Sequence, residues 1–241
     1  MFNFLFKLIF FWKKPKIIII TGRGKACAAE AIFQVLRPHF KVGKLTNFPH
    51  SLSFGQILGK EILIFETRIE KAENFNFLIK KASLPILLLT HIGDIPFDND
   101  FFAGDREKTK EIRKLAKILP SQGYLILNFD DETVREIKDE TNLQDYNPPA
   151  ALPPRRAPIT FGFQEGADFR ATDINLNSGT NFKINYKGNI VPIWLEKLFG
   201  KEQIYASLSA VSIGVIFDLN LVEISQLLKN YQGFAGKMNG A

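Results

Sequence analysis

An α/β fold is predicted: a parallel sheet flanked by helices, with a small antiparallel sheet around residues 157–196. Three observations predict it. Short, fully apolar runs recur along the first 140 residues and are separated by stretches of helical periodicity. A glycine-bearing turn joins the first such run to the first helix. After residue 140 the pattern changes to alternating segments joined by Asn-Ser-Gly and Lys-Gly-Asn.

The elements follow in order. Ile17–Ile20, β-branched throughout and preceded by Pro15, has the composition of a strand buried on both faces. Thr21–Lys25 is the turn, and Ala26–Leu36 a helix stopped by Pro38. Glu61–Phe65 is a second buried strand and Ala72–Lys80 a helix. Ile86–Leu89 is a third strand, and Arg106–Leu119 a basic helix with Leu115, Ile118 and Leu119 among its apolar positions. Tyr124–Leu127 is a fourth strand, followed by a helix over Glu132–Lys138. Strands alternating with helices imply a parallel sheet, because each parallel return needs a crossover. Asn147–Pro158, rich in proline, reads as a loop carrying Arg155 and Arg156. Phe169–Leu176, Phe182–Tyr186 and Ile190–Leu195 read as antiparallel strands. Gln203–Phe217 and Leu221–Asn230 read as helices, with Asp218 and Asn220 at the break. Residues 16–241 are taken as one domain and 1–15 as an apolar N-terminal appendage.

The chain has 241 residues and 46% hydrophobic composition, enough to bury a core without cross-links. Its single cysteine, Cys27, excludes an internal disulfide framework and fits a reducing, cytoplasmic setting. The net charge of +6 favours phosphate-bearing ligands or an anionic membrane surface. No aromatic-plus-basic RNA motif and no helix-turn-helix pattern is present, so nucleic acid is not expected as a partner. Met1–Trp12 is nearly all apolar, with Lys7 its one charge, and Lys13, Lys14 and Lys16 follow. That is too short to span a bilayer, which needs roughly 20 residues. It suits either an interfacial anchor on the inner membrane face, or a segment packed on its own domain or a partner chain.

Four segments hold residues able to do chemistry. In Thr21-Gly22-Arg23-Gly24-Lys25, backbone N–H groups and the helix dipole would favour an anion, with Lys25 in reach of outer phosphates. A phosphate loop also wants Ser or Thr after the lysine, and Ala26 stands there; a plain strand-to-helix turn explains the segment as well. Asn128-Phe129-Asp130-Asp131 lies at a strand end, where parallel sheets bind ligands; its alternative is a helix N-cap. Glu66, beside Thr67 and Arg68, is a candidate Mg²⁺ carboxylate or a surface ion-pair member. Thr90-His91-Ile92-Gly93-Asp94 offers a base or ligand, or a structural histidine. His39 and His50 have no partner that the sequence suggests.

Taken together these segments resemble the Mur ligases, most closely the dipeptide-adding branch. Ile17–Leu36 is similar to the family's opening strand, phosphate loop and helix. Leu89–Gly104 is similar to its strand and loop before a lysine-bearing helix. Leu119–Val134 is similar to its LP-x-x-G…LN-x-DD segment, and Leu198–Gly240 to the helical pair ending its central domain. The resemblance covers nearly everything from Lys16 onward. It implies an ATP-dependent amide ligase of peptidoglycan precursor synthesis. Such an enzyme phosphorylates a carboxylate of a UDP-linked muramyl peptide, which an amine then attacks. Thr21, Gly22, Gly24 and Lys25 would hold the triphosphate of ATP, Asn128 and Asp131 its adenine and ribose, and Glu66 would help place Mg²⁺.

The departures from the family point the other way. Its loop is one residue longer and has Thr or Ser at Ala26. Its metal-binding histidine falls at Pro96 or Asp98, and its modified lysine falls at Ile112, between Lys110 and Lys114. Its G-x-H-N-x-x-N segment reads Gly200-Lys201-Glu202-Gln203-Ile204-Tyr205-Ala206, and its closing G-R-M reads Gly236-Lys237-Met238. The asparagine-rich substrate loop is reduced to Asn47-Phe48-Pro49-His50, and the family's C-terminal domain has no counterpart. Phosphoryl transfer depends on positioning and metal charge. The chain is therefore expected to be a truncated, degenerate ligase. The alternatives are a non-catalytic scaffold, a pseudoenzyme, at the membrane or on a true ligase, and a ligase whose C-terminal domain is supplied by a separate chain.

Overall fold

The computed structural model describes residues 10–46, 57–142 and 156–233. Asn47–His50, most of the proline-rich loop with Arg155, the Gly236–Met238 segment and the first nine residues lie outside them.

One nine-stranded sheet organises the chain, in the order β2-β3-β1-β4-β5-β6-β7-β8-β9. Its strands are β1 (Lys16–Thr21), β2 (Val42–Thr46), β3 (Ile62–Glu66), β4 (Pro85–Leu89), β5 (Tyr124–Asn128), β6 (Ile159–Gly162), β7 (Phe169–Leu176), β8 (Gly179–Tyr186) and β9 (Asn189–Glu196). All neighbours from β2 to β7 are parallel. The β7–β8 and β8–β9 pairs are antiparallel hairpins. The antiparallel strands expected near 157–196 are thus the far end of the main sheet, joined to it through the short parallel strand β6.

Helices cover both faces. α1 (Lys25–Leu36), α5 (Lys201–Ile216) and α6 (Leu221–Lys229) cover one; α2 (Glu73–Lys81), α3 (Lys110–Lys117) and α4 (Glu132–Asn142) cover the other. Side chains alternate across a strand. Ile18 and Ile20 of β1 therefore enter the first core, while Ile17 and Ile19 enter the second. This doubly covered centre is why β1 reads as an unbroken apolar run. α5 is buried almost all round, from Gln203 to Gly214, because it lies under β5, β6 and β7 and against α1. Its three buried serines are accommodated locally: the hydroxyls of Ser207, Ser209 and Ser212 each donate to the carbonyl four residues back.

The basic helix expected over 106–119 is a 3₁₀ turn (Arg106–Thr109) leading into the shorter α3. Asp105 caps the turn by accepting from Glu107 N at 3.0 Å. β7 is irregular. One extra residue between Thr172 and Asn175 shifts its register on β8, and Asp173 takes a left-handed φ of 52° at that bulge.

Candidate functional site

The connections from β1 run to one side of the sheet and those from β4 to the other, so the crevice between them is a topological switch point. At its floor lies the 21–25 turn. Gly22 has φ 102° and Gly24 φ 72°. A Cβ on Gly22 would lie 2.5 Å from Thr90 Oγ1 and 2.6 Å from the His91 carbonyl oxygen. The turn is clamped there: Arg23 N donates to His91 O at 2.7 Å, and the Thr90 hydroxyl points at the carbonyls of Thr21 and Arg23. Gly24 is the N-cap of α1, whose first turn carries no acidic residue. Lys25 is half-buried and forms no ion pair among the described residues.

Beside this turn opens a cavity of about 610 Å³. Its polar rim is Arg23, Asp94, Lys201 and Glu202; Ile95, Phe97, Ile174, Leu176 and Phe199 make most of its wall. Arg23 and Asp94 are ion-paired across the mouth. Lys201, at the start of α5, donates to the carbonyls of Pro96 at 3.2 Å and Asn99 at 2.8 Å and pairs with Asp100 at 2.7 Å, so it ties the 96–100 loop to the helix. The N-terminus of α5 faces that of α1: a Cβ on Gly24 would lie 2.9 Å from Glu202 Oε1.

His91 lines the cavity but is only 3% exposed, and its Nδ1 has no hydrogen-bond partner. Burial, then the charge of Arg23, lowers its pKa to about 4 against the opposing pull of Asp94. It is a neutral imidazole near pH 7, packed edge-on to Phe102 and tilted against Tyr205.

The Asn128–Asp131 segment lies deeper. Asn128, Asp130 and Asp131 are all 0% exposed. Asp131 accepts from Ile92 N at 2.7 Å, Gly104 N at 3.2 Å and Val134 N at 3.3 Å, so both of its oxygens are taken by backbone. It caps α4 while fixing both ends of the 92–104 loop. Asp130 accepts from Phe163 N at 2.8 Å, Gln164 N at 3.0 Å and the Tyr205 hydroxyl at 2.8 Å. Burial nevertheless raises its pKa to about 6. The Asn128 Oδ1 accepts from Asp130 N at 2.9 Å, and its Nδ2 is buried without a partner at bonding geometry. Glu66 ends β3 in register with Ile20, so its carboxylate is one strand away from the 21–25 turn. Thr21, Gly22, Gly24, Lys25 and Glu66 therefore share one edge of the sheet, while Asn128 and Asp131 underlie the adjoining loop.

Comparison with known proteins fits this geometry. No family model matches the chain. UDP-N-acetylmuramate–L-alanine ligase of Dictyoglomus turgidum is 30% identical over 232 residues, covering 92% of this chain and 44% of that protein. UDP-N-acetylmuramoyl-L-alanyl-D-glutamate–2,6-diaminopimelate ligase of Syntrophomonas wolfei is 23% identical over 93% of this chain and 48% of that protein. The MurF structure from Acinetobacter baumannii superposes with a TM-score of 0.70 at 18% identity, over 97% of this chain and 51% of that one. MurF from Thermotoga maritima, solved in complex with ADP, gives 0.64 at 16% identity over 91% and 50%. The chain is related to the Mur ligases. It spans about half the length of the curated relatives it matches. The similarity is to the family at large rather than to the dipeptide-adding branch: curated relatives add L-alanine or diaminopimelate, while the A. baumannii and T. maritima structures are dipeptide-adding ligases.

Against Mur ligases the departures now have positions. Ile112, where the resemblance puts the modified lysine, is 3% exposed and packs in the core under α3. Of its neighbours, Lys114 is paired with Glu111 at 2.6 Å. Ala26 follows Lys25 in the first turn of α1 and brings no hydroxyl to the crevice. Among the described residues, no group of three or more His, Cys, Asp or Glu side chains is placed to hold a metal ion. Sequence reasoning left out Glu202, Lys201 and Tyr205 as site-shaping groups. Only the topology brings α5 over the 21–25 turn.

Proposed function

We propose that the chain is the nucleotide-binding part of a Mur-type, ATP-dependent amide ligase, retaining phosphate binding but turning over slowly by itself. The observation that carries this reading is the 21–25 turn. Two glycines at positive φ lead into a helix N-terminus with no side-chain cap at the switch point of the sheet, Lys25 stands in the first helical turn with no ion pair among the described residues, and Arg23 and Gly24 of the same turn line the 610 Å³ cavity beside it. In this reading Gly22, Gly24 and the Thr21 end of β1 shape the backbone cradle. Lys25 contacts the outer phosphates of ATP.

Asp131 acts from below, holding the 92–104 loop that walls the nucleotide, since both of its oxygens are already engaged, while Asn128 orders the turn at Asp130. A Mg²⁺ accompanying a nucleotide takes one or two carboxylates plus phosphates and water. Glu66, in register with Ile20, is the carboxylate suited to that place. When bound, the ion would neutralise phosphate charge. Slow turnover follows from the chain's own residues. Ala26 adds no metal ligand, Ile112 is core, and Glu202 sets a negative charge beside Gly24. The UDP-linked muramyl peptide of the family is the acceptor that this reading predicts, with the particular amine left to the relatives' range. A purely scaffolding role would require no nucleotide affinity.

Calorimetry separates the two. Titration of the chain with ATP and Mg²⁺ should give a Kd below about 1 mM, corresponding to roughly 4 kcal/mol. Lys25→Ala should abolish the signal without changing the melting temperature. An absence of heat in the unaltered chain at millimolar ATP would end the ligase reading.

A further inference from the structure

The structure describes a second surface that nucleotide chemistry does not use. Residues 10–13 are helical and lie against α2. Phe10 is fully buried, 6.2 Å from the Phe77 ring, and belongs to the core on that face. It anchors the segment. Its neighbours do not turn inward: Phe11 is 60% exposed and Trp12 80%.

Around them stand lysines from two distant parts of the chain. Phe11, Trp12, Lys14, Lys80 and Lys81 line one open cleft of about 710 Å³, which contains no acidic residue. Lys81 Nζ lies 5.5 Å over the Phe11 ring. Lys80 and Lys81 form the last turn of α2, where the helix dipole favours cations. The adjoining sequence continues the character of the patch, with Phe2, Phe4, Leu5, Phe6 and Leu8 around Lys7.

We propose that this surface docks the chain on an anionic phospholipid bilayer. Trp12 and Phe11 would lie at headgroup depth, with Lys13, Lys14, Lys80 and Lys81 on lipid phosphates. Exposed aromatics beside clustered lysines match both halves of such an interface, apolar and anionic. No described helix is long and apolar enough to cross a membrane, so the attachment is to the surface.

The test is co-sedimentation of the full chain with vesicles of phosphatidylcholine alone and of phosphatidylcholine mixed with phosphatidylglycerol. Binding should appear with the mixed vesicles and weaken with salt. In a Trp194→Phe background, the emission of Trp12 should shift to the blue on binding. Lys80→Ala with Lys81→Ala should weaken partitioning roughly tenfold or more, and Phe11→Ala with Trp12→Ala should do so independently. These positions are exposed, so folding should be unaffected. Equal binding to both vesicle types, no binding, or unaltered binding by both double variants would overturn the proposal. So would sedimentation showing the patch buried in a dimer of the chain.

Discussion

The Tyr205 hydroxyl donates to the Asp130 carboxylate at 2.8 Å, joining the middle of α5 to the end of β5 across 75 residues of sequence. Burial drives the tyrosine pKa far upward, so it remains a donor throughout the ordinary pH range. Tyr205→Phe should leave that side of the carboxylate unsolvated. A loss of about 1–3 kcal/mol is expected, read as a lower urea midpoint with unchanged m-value. A midpoint matching the unaltered chain would mean that the bond contributes nothing net.

Asp130 and His91 should give opposite pH dependences. The Asp130 pKa is raised from 3.8 to about 6, so its proton is held more tightly in the folded state. Its contribution is full below pH 4 and is lost as pH rises through 6. His91 is lowered from 6.5 to about 4, so its contribution is full above pH 6.5 and is lost as pH falls toward 4. Each shift of about two units is worth at most roughly 3 kcal/mol. Between pH 4 and 6 the two nearly cancel in the unaltered chain. Asp130→Asn should expose a rise in stability with pH, and His91→Phe a fall. Parallel slopes for both variants in urea titrations at these pH values would contradict the assignment.

Gly22→Ala introduces a Cβ 2.5 Å from Thr90 Oγ1 on a backbone at φ 102°. Strain of this kind costs of order 1–3 kcal/mol. Thermal melting should fall by several degrees, and nucleotide affinity should fall further than stability does. Loss of melting temperature without loss of affinity would separate the turn from the phosphate site.

Glu202→Gln tests the negative charge at the turn. Removing an exposed carboxylate beside Gly24 should tighten ATP binding roughly threefold at low salt, a surface-electrostatic effect that fades as salt rises. Weaker binding instead would indicate that Glu202 contacts the ligand or its metal.

Arg113 is 11% exposed and contacts Thr109, the Thr133 carbonyl, Glu136 and Glu140. It joins α3 to α4. Arg113→Ala should lower stability by about 1–3 kcal/mol, because it removes the mostly buried cation from Glu136 and Glu140 and leaves only the more exposed Arg106 to face them. Arg113→Lys should recover less than half, since one ammonium cannot serve the whole fork. Full recovery by lysine would show that charge alone matters there.

Much of the fold was legible because its central strands are buried on both faces, so their apolar runs stand out from the helices between them. Other parts were hidden for physical reasons. β2 reads Val-Gly-Lys-Leu-Thr; as an edge strand it tolerates Gly43 and Lys44, the latter paired with Glu30, and loses the apolar signature. β6 is a four-residue strand against a proline-rich stretch, too short to register. At the site, the glycine turn was visible from its spacing. The division of work between Asp130 and Asp131 was not, because it depends on backbone N–H groups from Ile92, Gly104 and Phe163. The cavity wall was equally hidden, being built from α5 and β7, remote in sequence from the turn.

The bulge in β7 bears on how such a site can change over generations. Ile174 and Leu176 face the cavity only because one extra residue after Thr172 resets the alternation of the strand. Smoothing out the bulge by a one-residue slip of β7, with no residue removed, would bring Asn175 opposite Thr180 and turn Leu176 outward, exchanging an oily lining for an amide while every parallel strand kept its place. Removing Asp173 itself would leave Asn175 opposite Asn181 and Leu176 opposite Thr180, so a three-nucleotide deletion there would spare the lining that a slip would reverse.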